Sequence, residues 1–176
     1  MIARSDRCEG ESIPPELDAI DRRLIAALQV DARASVSSLA AEVHLSTSPT
    51  WRRMRRLERE GVISGYAARL DRRALGWGVM AFISVTIGEH RESEARAFER
   101  AVGELPEIVS CWSTAGDSDF VLQVVARDLD HYADFAMNTV RRLPGIRSMR
   151  SVLTLKDIKV ASSWPLPGTP SSTGGQ

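Results

Sequence analysis

The sequence predicts an α+β protein in two parts: a winged helix-turn-helix domain, then a ferredoxin-like βαββαβ domain. Three observations predict this. Over residues 16–59, apolar positions recur every three or four residues, and a short turn separates two of the helices they mark. The stretch 71–78 (DRRALGWG) then changes composition and carries two glycines, as a hinge linker between domains would. From 79 to 160 the pattern reads strand, helix, strand, strand, helix, strand, the split βαβ order.

Residues 1–15 are polar, contain a proline pair and show no periodicity, so they read as a disordered tail. The first helix is expected over 16–30. Leu17, Ile20, Leu24, Ala27 and Leu28 share one face, and Asp18, Asp21, Arg22 and Arg23 lie opposite. The second is expected over 36–43, with Ser35 as cap and Leu39, Ala40 and Val43 as its seam. His44, Leu45, Ser46 and Thr47 form the turn into the third helix. Ser48 is expected to cap that helix, Pro49 to start it and Gly61 to end it. Val62 and Ile63, then 66–70, suggest a small hairpin or wing that closes the domain spanning 16–70.

In the second domain, strands are expected over 79–88, 108–114, 120–126 and 146–160, with helices over 92–105 and from Asp128 or Asp130 to Leu143. The last strand alternates Val152, Thr154 and Lys156 against Leu153, Leu155 and Asp157, which suggests one buried face. A four-stranded antiparallel sheet with helices on one side leaves its other face to be covered, most simply by a second copy of itself. Residues 161–176 are rich in Pro, Gly and Ser and read as a disordered tail.

Composition bounds the function. The 176 residues carry 23 basic and 23 acidic side chains, for a net charge of zero. A neutral chain is no bulk nucleic-acid binder, so any DNA contact has to come from a local patch. Lys156 and Lys159 are the only lysines, so 21 of the 23 basic residues are arginine. Cys8 lies in the polar tail, and Cys111 sits in an apolar run as a small hydrophobe. No signal-peptide pattern, membrane span or Cys/His metal spacing is visible, so a cytoplasmic protein with no metal, no cofactor and no membrane partner is expected. His44, His90 and His131 share no motif. No Ser/His/Asp set, phosphate loop or carboxylate pair emerges, which argues against an enzyme.

The one local patch is the third helix. Residues 45–61 read LSTSPTWRRMRRLEREG, with five arginines against Glu58 and Glu60. Thr50, Met54 and Leu57 share a narrow face, and Ser48, Trp51, Arg52, Arg55 and Arg59 lie opposite. This is the pattern of a DNA recognition helix, and equally of a solvated arginine-rich surface helix. Read as DNA-binding, the helix has Arg52 and then Arg55 as base readers near its start, and Arg56 and Arg59 as phosphate contacts. Ser46, Thr47 and Ser48 border this surface. Arg53 is expected in an ion pair inside the domain. Trp51 packs either on a thymine methyl or sugar, or back on its own domain; the sequence does not choose.

The order and spacing of several fragments carry a resemblance over about residues 17–159: LDAIDRRLIAAL (17–28), DARAS (31–35), LAAEVHLS (39–46), RRMRRLEREGVISGY (52–66), AGDSDF (115–120) and RLPGI (142–146). The chain resembles the Lrp/AsnC (feast/famine) transcriptional regulators. The resemblance implies a regulator binding double-stranded operator DNA through its helix-turn-helix. It also implies a ferredoxin-like effector and oligomerisation domain, forming homodimers that assemble into tetramers, octamers or larger rings. A small effector, usually an amino acid, is implied between dimers at the turn formed here by Ala115, Gly116, Asp117, Ser118 and Asp119, with Thr154 as a further lining residue. Gly116, Asp117 and Asp119 match the family's effector turn. Phe120 replaces a frequent Tyr, and Ser118 stands where larger side chains are common. His44 stands where the family commonly has Gly. Two other readings fit the sequence: an architectural DNA binder with little effector response, and a metabolic enzyme subunit on the same fold. The arginine face argues against the second.

Overall fold

The computed structural model describes residues 15–88, 92–160 and 163–167. The chain forms two compact units, one of Met1–Ala68 with Val160–Gln176, the other of Arg69–Lys159.

The first unit is three helices: α1 (Ala19–Val30), α2 (Val36–Glu42) and α3 (Thr47–Arg59). Their apolar seams meet in one small core of Leu24, Leu28, Leu39 and Val43, with Ile20, Leu45, Met54 and Ile63 packed around it. The start of α1 is held by a capping box, in which Asp18 accepts from the Asp21 amide and Asp21 accepts from the Asp18 amide. In the turn before α3, His44 has a φ of 55°, a left-handed conformation that side chains with a Cβ adopt at a cost.

Three expectations for this unit need correction. First, α3 begins at Thr47 with Ser46 at its cap position, so Ser48 lies inside the first turn rather than capping it. Pro49 is therefore the third helical residue. Its missing N–H falls among donors that have no helical partner anyway. Second, no wing strand forms over 62–70 among the described residues. Gly61, with a φ of 73°, ends α3 as expected, and the following chain is irregular and largely exposed. An isolated two-stranded ribbon has too little apolar burial to hold together. Third, Asp21 is not on the solvent side of α1 but fully buried. The first unit also receives residues from the far end of the chain. The Gln29 side chain donates to the Trp164 carbonyl (3.2 Å) and accepts from the Trp164 amide (2.5 Å).

The second unit is β1 (Val79–Ile87), α4 (Glu92–Gly103), β2 (Ile108–Ser113), β3 (Phe120–Ala126), α5 (Leu129–Asp134) and β4 (Ile146–Leu153). After α5 the coil widens over Phe135–Thr139 and tightens over Val140–Arg142. All strand pairs are antiparallel in the order β2-β3-β1-β4, the ferredoxin-like arrangement. Ala81, Ile83 and Val85 of β1 and Leu122 and Val124 of β3 are buried beneath Phe98 and Val102 of α4 and Tyr132, Phe135, Ala136 and Val140 of the α5 segment. The opposite face carries two cross-strand rows, Val152–Phe82–Gln123–Ser110 and Arg150–Ser84–Val121–Trp112. Phe82, Trp112 and Val152 on it are 37–58% exposed.

The segment expected as a linker, 71–78, is instead a hydrogen-bonded turn within the second unit. Arg72 donates to the carbonyls of Trp77 and Gly78, and Gly78 lies so close to the chain just past β3 that a Cβ there would meet the Arg127 carbonyl oxygen at 2.6 Å. Strand β4 ends at Leu153, and residues 155–160 are exposed. The expected buried face over 152–157 therefore does not form, because nothing in the unit packs over Leu155 or Ile158. The tails 1–15 and 161–176, along with Cys8 and His90, lie mostly or wholly outside the described residues.

Candidate nucleic-acid interface and effector turn

The five arginines of α3 divide into two sets. Arg53 and Arg56 turn inward onto α1. Arg53 reaches Asp18 (2.5 Å) and Asp21 (2.9 Å), and Arg56 pairs with the other oxygen of Asp21. The Asp21 side chain is 1% exposed, so this carboxylate sits in the core with a guanidinium on each oxygen. A buried charge is tolerated only when paired and hydrogen-bonded, and here the capping box and two arginines meet that condition. The Asp21 backbone amide, and then Arg53, hold the Asp18 carboxyl below its ordinary value, while the aspartates push Arg53 upward. The expected ion pair of Arg53 is present. Arg56, expected at a phosphate, is engaged in the core. Its periodicity placed it beside the polar face, but Asp21 lies 35 residues away in sequence, where no local pattern reveals it.

The outward set is Arg52, Arg55 and Arg59, all exposed. Arg52 and Arg59 make no ion pair among the described residues. Arg55 stands 5.5 Å from the centre of the Trp51 ring and 3.2 Å from Glu58. Trp51 is half exposed and does not fold back into the core. With Thr47, Ser48, Arg52 and Val36 of α2 it lines an open concavity of about 580 Å³. Ser46 is exposed at the helix start, and its carbonyl accepts from the Thr50 hydroxyl at 2.9 Å. Glu58 also accepts from the Tyr66 hydroxyl, and burial followed by that carboxylate pushes the Tyr66 phenol up.

The turn 115–119 joins β2 to β3. Gly116 has a φ of 155°, and the ends of the turn are pinned: the Thr114 hydroxyl donates to the Ser118 carbonyl (2.6 Å) and the Asp119 amide to the Val85 carbonyl (2.9 Å). The Asp119 carboxylate accepts from the Ile87 amide at 2.7 Å, beside a register shift in β1. That bond ties the turn to β1 through one carboxylate oxygen of Asp119. Asp117 is exposed and makes no polar contact among the described residues. Thr154 is not near this group. Its amide bonds to Met80, at the far end of β1 from Val85 and Ile87. Five residues of strand, about 17 Å, separate the two ends. The alternation of the sequence showed which residues share a strand face but not which strand end faces which turn.

Elsewhere, burial followed by Glu99 pushes the Cys111 thiol up to about 11, which leaves it a poor nucleophile. His131 accepts from the Arg127 amide and stacks near Trp77. No group of three His, Cys, Asp or Glu among the described residues has metal-binding geometry, and no helix among them is long and apolar enough to cross a membrane.

A helix-turn-helix whose last helix turns bare arginines outward, followed by an antiparallel α+β sheet domain, defines a class of DNA-binding regulators. Residues 17–58 match the model of the AsnC-type helix-turn-helix domain, and residues 80–164 match that of the Lrp/AsnC ligand-binding domain. The chain is 40% identical over 151 residues to the Bkd operon transcriptional regulator of Pseudomonas aeruginosa, covering 86% of this chain and 99% of that one. It is 36% identical over 146 residues to a leucine-responsive regulatory protein of Rhizobium meliloti, covering 83% and 94%. Among solved structures, an L-methionine complex of a Neisseria meningitidis transcriptional regulator matches with a TM-score of 0.82 at 32% identity, covering 86% of this chain and 98% of that one. An L-methionine complex of a feast or famine regulatory protein from M. tuberculosis matches with a TM-score of 0.73 at 33% identity, covering 82% and 96%. The chain belongs to the Lrp/AsnC family of transcriptional regulators.

Proposed function

We propose that the chain works as a two-fold reader of operator DNA in the cytoplasm, tuned by a free amino acid and not acting as an enzyme. The observation that carries this is the division of α3: two arginines are spent on the core, and Arg52 and Arg59 stand outward without ion pairs among the described residues. Arg52, near the helix start, is the base reader. Arg59 is a phosphate anchor, and Thr47, Ser48 and Trp51 complete the surface. Arg56 has no part in it.

Two-fold pairing uses the open sheet face, where Phe82, Trp112 and Val152 await cover. For the effector, the geometry of the turn favours Asp117 as the carboxylate that meets an amino-acid ammonium, with Asp119 holding the turn in shape. Thr154 joins such a site only from another copy of the chain. The L-methionine complexes of two structural relatives support an amino acid as the effector class.

The test is binding of the purified chain to the DNA upstream of its own coding sequence, with and without a panel of amino acids. Saturable, sequence-selective binding that one amino acid shifts, and whose selectivity Arg52→Ala weakens, is the expected result. Binding to all DNA alike would overturn the reading. Light scattering of Phe82→Glu tests the pairing face, with a shift toward monomer expected.

A further inference from the structure

Arginine–phosphate contact does not account for one feature of α3. A tryptophan is a poor surface residue, yet Trp51 is 51% exposed at the helix start. It is one wall of the concavity formed with Val36, Thr47, Ser48 and Arg52. Val36 and the indole help make that hollow largely apolar, and Arg52, without an ion pair among the described residues, lines it too.

We infer that this hollow reads a thymine by its 5-methyl group and that Arg52 reads a guanine within a step or two of it. The inference rests on the DNA-binding reading above and names what that surface recognises. In the major groove, thymine alone of the four bases presents a methyl, which is read by apolar contact, while a bidentate guanidinium fits guanine O6 and N7. The hollow is large enough for a base edge and not just a methyl. Trp51 is also held in place. The Arg55 guanidinium lies over the indole at 5.5 Å from its centre, and Arg55 pairs with Glu58 at 3.2 Å. A braced ring is a preset wall, so less side-chain freedom is lost when DNA arrives. It follows that Arg55, which the sequence alone places second among base readers, positions Trp51 instead.

The experiment is selection of a preferred duplex from a randomised pool by the full-length protein. Titrations at fixed salt then compare that duplex with versions in which one thymine at a time is deoxyuridine, which removes only the methyl. One thymine per half-site is expected to weaken binding about fourfold when replaced, the worth of one apolar carbon leaving water. Trp51→Ala is expected to bind the thymine and uracil duplexes equally, and Trp51→Phe to keep part of the difference. Arg52→Ala is expected to lose preference at the neighbouring guanine while keeping the thymine effect. Circular dichroism of each variant confirms that the helices are intact. A thymine/uracil ratio near one for the unaltered protein, or a ratio that survives Trp51→Ala, overturns the inference and leaves DNA binding standing. Tighter binding to single strands than to duplex, lost in Trp51→Ala, overturns it in favour of base stacking on the ring. If no sequence is enriched, the DNA-binding reading falls and the inference with it.

Discussion

Asp21 has the most demanding environment of any residue in the first unit. Its carboxylate closes the α1 capping box and takes one arginine on each oxygen, at 1% exposure. Removing the Asp21 carboxylate takes away the capping-box acceptor and the buried partner of both arginines, which are left to Asp18, Glu60 and water. Asp21→Ala is therefore expected to unfold the helical unit at temperatures where the sheet unit persists, seen as two separated transitions by calorimetry. Asp18 gives a pH signature. Its folded value is depressed below 3.8, so its contribution is complete above that pH and fades as pH falls through the depressed value. The stability gap between the native chain and Asp18→Asn should be flat from neutral pH to about pH 5 and close below about pH 3.8. His44, at a φ of 55°, supplies a third case. His44→Gly is expected to raise the melting temperature slightly, and the β-branched His44→Val to cost about 1–2 kcal/mol, since a left-handed Cβ is strained there.

At the level of elements, Gly78 shows why the turn before β1 is built as it is. A Cβ would stand 2.6 Å from the Arg127 carbonyl oxygen, which is backbone and cannot rotate away. Gly78→Ala is expected to destabilise the sheet unit by about 1–3 kcal/mol, measured by denaturant unfolding, with little effect on α1–α3. Most elements were legible in the sequence because their apolar periods are clean: β3 falls on 120–126 as read, and α2 differs by one residue. What was not legible depended on distant partners. Asp21 looks like a surface acid until Arg53 and Arg56 arrive from α3. The β-forming residues of 62–70 suggest a wing, yet strands need a ladder, and that stretch finds no partner strand among the described residues.

For the whole molecule, the division of the arginines sets the electrostatics of any complex with DNA. A helix with five arginines suggests a steep salt dependence, but Arg53 and Arg56 are already paired with the acids of α1 and its cap. Each phosphate contact adds about 0.9 to the slope of log affinity against log salt. Arg59→Gln is expected to reduce that slope by about 1 per bound chain, and Arg56→Gln to leave it unchanged in any variant that stays folded. The candidate DNA surface was legible as a group because α3 is one element with a strong period. The candidate effector group was legible only in part. A turn reads locally, whereas placing Thr154 against it requires the strand register, and the register puts Thr154 at the other end of β1.

The amide clamp between Gln29 and Trp164 has a consequence in time. Its two halves are 135 residues apart. During synthesis α1 leaves the ribosome first and the whole sheet unit is made before Trp164 appears. At about 5–20 residues per second, α1 waits some 7–27 seconds for its partner. Until then the three helices have only their own core of Leu24, Leu28, Leu39 and Val43 to hold them.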